Sequence, residues 1–577
     1  MQLLDYIVVI LYFAGLVAVS LFMSRKIKNS EDMFIAGRNS SWWLSGISTY
    51  MTIFSASTFV VWGGVAYKSG LVAVVVAVML GISSFFVGRW ISGRWRRLKI
   101  KSPGEYLAIR FGKKTVGFYT IAGIVGRGVH TAVAMYAVAV VMCGLMHLNI
   151  WWALLVLGVI TLAYTIAGGF LAVLMTDVIQ FGVLISVVVF MIPLSFHAVG
   201  GVSEFIDRAS EIPGFLSGTS ETYTVLWLVL WCLLHISMIG GDWPFVQRYI
   251  SVPTVNDAKK SPYLVGVLYV LTPIIWYLPA MIYRVLDPSA AGLDALDPDM
   301  TVLGEGAYVN MSRMVLMNGM LGMMLAAMLS ATMSNVSGTL NVFANVFTYE
   351  IWCGIHKDAS DRDKIKAGRV FTLVYGLIIL GIAMLIPFAG GAEKVVVTIL
   401  TMVLCPLYIP SIWGLFSSRL TGKQLMWAMI VSWAFGFTAK LTPLSDIIGS
   451  SLMDSISGCV LPLLILGGME CFSAAKGRED RGYLEMNRHL DPDAEKEPSA
   501  QMKRAVKTYS HTAVSCFCIT LAAIVLLLGG MLAAGDPKTL EVKNIVLWFI
   551  GMITTLIAIY VIYRIIDFKK SNHEDNH

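Results

Sequence analysis

Charged side chains are scarce in this chain of 577 residues. They account for 14% of the sequence, whereas hydrophobic residues account for 57%, and the mean hydropathy is +0.73. Soluble globular domains carry about 25% charged residues, so this chain is too apolar for a soluble multidomain protein. The composition predicts a polytopic helical membrane protein.

Long hydrophilic stretches are also missing. Apolar stretches of about 20 residues, the length that crosses a bilayer as a helix, recur about fifteen times. They begin near positions 3, 42, 71, 115, 149, 173, 225, 262, 310, 366, 393, 422, 445, 511 and 543. The gaps between them are too short for a soluble domain of about 100 residues. The first stretch carries Asp5 and lacks a preceding basic region, so we expect a retained helix rather than a signal peptide.

The eight cysteines lack CxxC spacing, and all lie in or beside apolar segments. Disulfides and metal clusters are therefore not expected. The sequence also lacks a convincing HExxH, GxSxG or paired-carboxylate constellation of the kind that enzymes use. We expect neither an enzyme nor a cofactor other than a coupling ion.

The formal net charge of +7 reflects where the basic residues lie. Lysine and arginine gather in alternate loops: 25–28, 94–101, 113–114, 248–260, 357–369, 419–423, 476–507 and 564–570. The intervening loops are short or acidic. By the positive-inside rule, this pattern predicts a multi-pass protein of the plasma membrane, as in a bacterial inner membrane, with the N-terminus outside and the C-terminus cytoplasmic. The excess of basic residues thus indicates how the chain is oriented in the membrane. We expect the protein to interact with the lipid bilayer and not with nucleic acid.

Polar side chains recur inside the apolar run from Met320 to Asn341. Ala331, Ser334 and Asn335 share one helical face, which continues one turn later. An unpaired polar side chain is costly in hydrocarbon, so this face is expected to look toward protein, water or an ion. Oxygen ligands without a fixed charge suit a small alkali cation, and the pattern therefore indicates a sodium-coupled transporter.

Two other apolar segments contain helix-breaking or polar residues. Residues 48–58 are rich in serine and threonine, and the segment near position 240 contains Gly240, Gly241 and Pro244. Non-helical backbone at membrane depth is tolerated where it lines a cavity, and its carbonyl groups can bind cations. Two interrupted helices five spans apart indicate an inverted five-helix repeat. The alternative is that small residues here only allow close helix packing.

Five motifs in order make the chain resemble the solute:sodium symporter family, which includes sodium/glucose, proline, pantothenate and sialic acid transporters. They are FIAGR at 34–38, SPGEYLAIRFG at 102–112, YTIAGGFLAVLMTDVIQ at 164–180, VQR at 246–248 followed by VPTVNDAKK, and the serine-rich segment at 320–341. The resemblance covers roughly residues 1 to 470. It implies an all-α fold of two inverted five-helix repeats of the leucine-transporter type, about 15 spans in total, and sodium-driven uptake by alternating access.

This resemblance implies a set of sodium ligands. They are the carbonyl groups of Met51, Phe54 and Ala331 with the side chains of Ser334 and Asn335. Many relatives have Ser or Thr at the position of Asn335, and the amide side chain of Asn335 is longer than either. A second sodium site, found in some relatives, would use Asp177, Ser334 and Ser337, but Gly338 supplies one hydroxyl fewer. Asp177 could instead be a helix-start carboxylate that interacts with a helix N-terminus.

The resemblance also implies a solute pocket at the two broken helices. The matching residues are Ser57, Thr58, His235, Met238, Asp242 and Tyr269, with Ala77 on the next helix. The sugar-binding constellation of galactose-type members is absent from these positions. His235 and Asp242 are two helical turns apart, and we expect water or solute to pair them; the alternative is that both are structural. Arg127 and His130 are expected to be a further polar element of the cavity.

The sequence leads to one division of the chain and one principal function. Residues 1–30 are expected to form an extra helix, and residues 31–200 and 201–420 are expected to form the two repeats. Two additional helices follow at 421–472, then a partly disordered cytoplasmic connection at 473–510. Residues 511–577 are expected to form two terminal helices with a short tail. The expected activity is sodium-coupled import of a small organic solute, such as a sugar derivative, amino acid or carboxylate. A membrane sensor without transport is the alternative function.

Overall fold

The computed structural model describes residues 1–287, 289, 298–386, 399–442, 450–535 and 537–574, which form helices and no strand. The principal helices are α1 Leu3–Ser24, α2 Trp42–Ile53, α3 Ala56–Ser69, α4 Val72–Trp90, α5 Lys113–Met146, α6 Ile150–Val199, α7 Val225–Gly241, α8 Trp243–Ile250, α9 Val255–Leu271, α10 Pro273–Leu286, α11 Pro298–Val315, α12 Met320–Val346, α13 Asp361–Leu385, α14 Cys405–Trp413, α15 Gly422–Lys440, α16 Leu461–Ala475, α17 Arg481–Arg488, α18 Ala500–Ala534 and α19 Lys543–Glu574. Shorter helical segments lie at Ser30–Ile35, Ala36–Arg38, Ser92–Arg97, Pro103–Phe111, Val202–Ser210, Phe347–Trp352, Cys353–Ile355, Ile399–Leu404, Ser450–Ser455, Ile456–Val460 and Pro537–Glu541.

Ten helical stretches of the described residues are long and apolar enough to cross a membrane, or up to 12 if each bent pair is one span. The apolar segments predicted to begin near 393 and 445 begin outside the described residues. The predicted total of about 15 spans stays a prediction.

Helix α6 joins two apolar segments that the sequence presents as separate spans. Its 50 residues would extend for roughly 75 Å if straight, against a hydrocarbon core of about 30 Å. The helix is interrupted at Gly169, where φ is 56° and ψ is −160°. This left-handed backbone favours glycine, and a Cβ there would lie 2.7 Å from the Met33 carbonyl oxygen. The interruption at Gly169 is therefore the point at which we place the end of one span and the start of the next.

Both predicted helix interruptions are present. Helices α2 and α3 meet at 61°, and α7 and α8 meet at 53°. The first break lies at Phe54, which has extended backbone, and the second lies at Asp242. Gly240 and Gly241 remain helical at the end of α7 and pack against Ile412. Their small size allows this close approach, while the change of direction occurs one residue later.

The serine-rich helix α12 lies at the centre of the molecule. All but one of its residues are buried, and it packs against α1, α2, α5, α6 and α13. A helix buried on every side has no lipid-facing surface, which explains how it carries many hydroxyl and amide groups among its apolar residues. Its polar face is thus held next to the first helix break.

The connection at 473–510, for which the polar composition predicts partial disorder, contacts the helical body in the structure. It contains α17, and Asp480 pairs with the fully buried guanidinium of Arg110. Asp491 pairs with Arg96 at 3.1 Å, and the Val255 amide donates to the Ala494 carbonyl at 2.9 Å. Asp480 and Asp491 of this hydrophilic segment are therefore partners of arginines in the helical body.

Asp491 gives a test of this docking. Burial raises the pKa of Asp491, but the hydrogen bonds from Arg96 and the Asp493 amide, with the charges of Arg96 and Lys99, outweigh burial and hold the pKa below its usual value. The contact should be complete above about pH 4 and weaken as the pH falls through the lowered pKa. Asp491→Asn should open the connection about tenfold more often at neutral pH, as expected when a hydrogen bond to a charged group is weakened by roughly 1.4 kcal/mol.

Trypsin cleavage at Arg488 and Lys496 measures this opening. The matched control is Asp493→Asn, because Asp493 pairs only with the exposed Lys496 through its side chain. Equal cleavage rates in Asp491→Asn and wild type would show that the Arg96 contact does not hold the connection.

Candidate functional site

A cavity of about 120 Å³ lies between the two helix breaks. Five of the six predicted solute residues line it: Ser57, Thr58, His235, Met238 and Tyr269. Arg127, His130 and Ala77 from the neighbouring helices also line it, together with Trp62, Trp231 and Tyr277. The wall therefore combines hydroxyl groups, imidazoles and one guanidinium with aromatic faces, a mixture suited to a small polar organic molecule.

The break between α2 and α3 redirects three backbone amides. The N–H groups of Ser55, Ala56 and Thr58 donate to Thr58 Oγ1, Thr332 Oγ1 and the Ser55 carbonyl. In a continuous helix they would donate to the carbonyl groups of Met51, Thr52 and Phe54. These three carbonyl groups are thus released from helical hydrogen bonding inside an apolar region.

Asn335 satisfies one of the released carbonyl groups. Its Nδ2 donates to the Thr52 carbonyl at 2.9 Å, while its Oδ1 accepts from Arg127 Nη2 at 3.5 Å. The amide therefore bridges the helix break and the cavity arginine. Its oxygen is directed at Arg127. The carbonyl groups of Met51 and Phe54 are the two others that have lost their helical donors at the break.

Ser334 lies one residue before this bridge, and Ala331 one turn before that, both fully buried on α12. Ser334 Oγ makes no hydrogen bond of ordinary geometry within the described residues, and its polar neighbour is the Asp177 carboxylate. A buried hydroxyl that lacks a well-placed partner is costly unless a ligand satisfies it. Together with the released carbonyl groups, it forms a set of uncharged oxygen atoms.

A second polar cluster surrounds Asp177 in the second half of α6. Asp177 Oδ2 accepts from Ser48 Oγ of α2 and lies 3.4 Å from Arg248 Nη2 of α8. The side chains of Asp177 and Arg248 are completely buried. Ser337 Oγ donates to the Ser334 carbonyl at 3.1 Å. Asp177 thus has a buried arginine partner rather than a helix N-terminus.

Comparison with known proteins places these features in a family. The model of the sodium:solute symporter family matches residues 33–432, more than half of the chain. The chain belongs to this family. Its members are transporters rather than enzymes.

The symporter is 26% identical over 483 residues to sodium/myo-inositol cotransporter 2 of Bos taurus, covering 75% of this chain and 69% of that protein. It is 25% identical over 392 residues to the sodium/sialic acid symporter NanT of Aliivibrio fischeri, covering 65% and 75%. The solved structure of a substrate-bound, outward-open Na⁺-coupled sialic acid symporter superposes with a TM-score of 0.65 at 22% identity, covering 80% of this chain and 98% of that one. The predicted fold class is confirmed by this shared architecture.

His235 and Asp242 of this symporter each have a separate protein partner, and their expected pairing through water or solute stays a prediction. His235 Nδ1 is 2.8 Å from the Trp231 carbonyl, while Asp242 lies 3.0 Å from Arg127 Nη1. The two-turn spacing assumes a continuous helix, but α7 ends at Gly241 and Asp242 has extended backbone. At the helix break the carboxylate therefore meets Arg127 of α5.

Two arginines of the symporter acquire roles that sequence reasoning did not assign. Arg127 was expected only to face the cavity, and it also pairs with Asp242 and contacts Thr339 at 3.3 Å. Arg248 was identified from the sequence only as part of the VQR motif, without a role of its own. An arginine inside an apolar segment needs a buried acidic partner. The position of both arginines in apolar segments was therefore the sequence feature that could have predicted these ion pairs. The sequence could not show which carboxylate each arginine meets.

The Arg127–Asp242 pair should contribute measurably to folding. Asp242→Asn leaves the Arg127 charge buried without its partner, at a cost of about 3 kcal/mol. We expect a lower apparent melting temperature for the purified protein, and partial recovery in the apolar double variant Arg127→Met/Asp242→Leu. The control is Glu497→Gln, because Glu497 is 87% exposed and pairs with Lys503 at the surface. Additive effects of the two single substitutions in a double-mutant cycle would contradict this coupling.

Proposed function

We propose that the protein is a sodium-coupled symporter that imports a small organic solute by alternating access. The observation that carries this proposal is the set of oxygen atoms at the first helix break that lack their helical or ordinary hydrogen-bond partners. The carbonyl groups of Met51 and Phe54 have lost their helical donors, and the buried Ser334 Oγ, whose polar neighbour is Asp177, makes no hydrogen bond of ordinary geometry within the described residues. An ion at this position would satisfy all three groups at once.

The chemistry of this oxygen set favours a small hard cation. Hard cations take oxygen ligands, and unwound backbone at membrane depth is the usual place where transporters bind Na⁺. The Ala331 carbonyl completes the proposed set. Asn335 acts in this proposal through its bridge between Thr52 and Arg127 rather than as a direct ligand. The relatives described above are named for sodium coupling, which agrees with this assignment.

The cavity beside the break is the proposed solute site. His235 Nδ1 faces a carbonyl, so it carries the proton, and Nε2 is the nitrogen left for a ligand. Arg127 offers N–H donors, while Asp242 compensates its charge. Ser57 and Thr58 add hydroxyl groups at the start of α3. These groups suit a small neutral or anionic solute with hydroxyl or carboxylate groups, such as a sugar derivative, amino acid or carboxylate.

The proposed setting is the plasma membrane, with the N-terminus outside and the C-terminus in the cytoplasm. This orientation rests on the alternate basic loops. A bacterial inner membrane fits, since one relative is the Aliivibrio fischeri sialic acid symporter. No feature in the described part of the chain favours the alternative of a sensor without transport.

A two-stage experiment tests the proposed function. Purified protein is first screened for thermal stabilisation by a panel of sugars, sugar acids, amino acids and carboxylates, in sodium and in potassium buffer. Uptake of a stabilising solute is then measured in proteoliposomes with an imposed sodium gradient. Accumulation should collapse when sodium is replaced by potassium. Solute accumulation of equal size without sodium would contradict the proposed coupling.

Ser334→Ala tests the sodium position directly. Removing one ligand hydroxyl should weaken sodium affinity about tenfold, equivalent to roughly 1.4 kcal/mol. The half-saturation constant for solute should rise as well, because coupling between two ligands is reciprocal. The matched control is Ser330→Ala, one turn earlier on α12, where the hydroxyl already bonds the Ala326 carbonyl at 2.6 Å. Sodium dependence equal to wild type in Ser334→Ala would remove this hydroxyl from the site.

His235→Gln tests the solute site. The half-saturation constant for solute should increase about tenfold if the imidazole loses a hydrogen bond to the solute, while sodium binding without solute changes far less. Ser237→Ala serves as the control, because Ser237 lies two residues away on α7 and bonds the Leu234 carbonyl at 2.7 Å. Unchanged solute affinity in a well-folded His235→Gln protein would show that the imidazole is structural.

In this proposal the cluster of Asp177, Ser334 and Ser337 is a second cation position. Its carboxylate contacts Ser334 of the serine-rich face. Which cation fills this position determines the number of sodium ions that move with each solute.

A further inference from the structure

A groove of about 450 Å³ lies between α4, α7 and α9 on the outer surface of the helical body. None of its described lining residues also lines the solute cavity. Three α4 side chains along it, Ile82, Phe85 and Phe86, are between 37% and 45% exposed. In a membrane such side chains contact the hydrocarbon of the bilayer. The groove is therefore open to lipid.

Two glycines bring α4 and α9 into close contact at this groove. A Cβ atom built on Gly88 would lie 2.7 Å from the Tyr263 ring, and one built on Gly266 would lie 2.8 Å from the Phe85 ring. The centroids of those two rings are 6.2 Å apart. Small residues allow helices to approach this closely. The packing of the two helices thus holds both rings in place, so this wall of the groove is preformed.

Arg89 is the one charged side chain among the described lining residues, and it lies in the last turn of α4. The three arginines that follow it are held by protein groups: Arg94 by a backbone carbonyl, and Arg96 and Arg97 by carboxylates of the connection after α16. Within the described residues no carboxylate pairs with Arg89, whose guanidinium carbon lies 5.6 Å from the centroid of the Trp90 ring. Its positive charge is thus available to a ligand.

Lys259 of α9 adds a second positive charge at the same end of the groove. Its Cε atom would lie 3.0 Å from a Cβ atom built on Gly93, four residues after Arg89. Asp257, the acidic residue closest to Lys259 in sequence, accepts a hydrogen bond from the Thr254 hydroxyl at 2.7 Å. In the described part of the chain no carboxylate forms an ion pair with Lys259. The two cations are therefore uncompensated.

Aromatic residues with a polar edge lie at this end of the groove. Trp90 follows Arg89 on α4, and Tyr263 follows Lys259 by four residues on α9. Tryptophan and tyrosine are enriched where hydrocarbon meets lipid headgroups. Basic pockets between helices on the cytoplasmic side bind anionic headgroups. The alternate basic loops place this end of α4 on the cytoplasmic side.

We propose that this groove binds one anionic phospholipid of the cytoplasmic leaflet. Its phosphate lies at Arg89 and Lys259, and one acyl chain lies along Ile82, Phe85 and Phe86. A zwitterionic headgroup would bring an ammonium group next to two uncompensated cations, whereas a phosphatidylglycerol headgroup brings no positive charge. The inference goes beyond the proposed transport activity and uses only the proposed orientation in the membrane.

Two phospholipids with the same acyl chains test the inference. Purified protein is delipidated in detergent and titrated with phosphatidylglycerol or phosphatidylcholine, and bound lipid is measured by native mass spectrometry. Wild type should bind its first phosphatidylglycerol about tenfold more tightly than phosphatidylcholine, as expected from one additional interaction with a charged group. Arg89→Gln should abolish this preference, whereas Arg89→Lys should retain it.

Further arms separate charge from shape. Ile82→Trp places an indole ring in the groove without changing the charge, so it should also weaken phosphatidylglycerol binding. The matched control is Arg369→Gln, which removes an exposed arginine of α13 that does not line the groove and should leave the preference unchanged. Glycerol phosphate, which has the phosphate group without acyl chains, should not displace the lipid.

Equal affinity of wild type for the two phospholipids would overturn the inference. An unchanged preference in Arg89→Gln, an equal loss in Arg369→Gln, or displacement of the lipid by an equal concentration of glycerol phosphate would also overturn it. If Arg89→Gln does not fold, the wild-type affinities and the Ile82→Trp variant decide. Uptake is not measured in this experiment, so a negative result leaves the proposed sodium coupling intact.

Discussion

The interruption of the first broken helix releases backbone carbonyl groups at a depth where water cannot hydrate them freely. In hydrocarbon such groups must find partners within the protein or bind an ion. The Thr52 carbonyl is satisfied by Asn335, while those of Met51 and Phe54 are left as acceptors. The same interruption places Ser57 and Thr58 against the cavity. One break in the backbone thus builds both the proposed ion position and part of the solute wall.

The ion position and the cavity are connected through side chains of α12. Asn335 contacts the break with its nitrogen and Arg127 with its oxygen. Arg127 in turn pairs with Asp242 at the second break. A cation bound at the first break and a solute bound in the cavity would therefore act on one connected set of groups. Such shared contacts are a physical basis for coupling, because each ligand then changes the free energy of the same conformations.

Two buried ion pairs link the two predicted repeats. Arg127 of α5 meets Asp242 at the second break, and Asp177 of α6 meets Arg248 of α8. Each charge alone would be costly at membrane depth, so each pair requires the two repeats to stay close at that point. Within each pair the two charges compensate one another, whereas the carbonyl groups of Met51 and Phe54 and the hydroxyl of Ser334 carry no formal charge.

Much of the architecture follows from the sequence alone. Three features could be predicted from local sequence: the lengths of the apolar segments, the helix breaks near Phe54 and Asp242, and the polar face of α12. They are local because they depend on helix geometry and on the cost of unpaired polar groups in lipid. The positions of Ser57, Thr58, His235, Met238 and Tyr269 around one cavity also agree with expectation. The tertiary structure decided which charges pair: Asp242 with Arg127, Asp177 with Arg248, and Asp491 with Arg96. Sequence spacing could not reveal these partners, because each pair joins residues that are far apart in the chain and whose approach depends on how helices bend and pack.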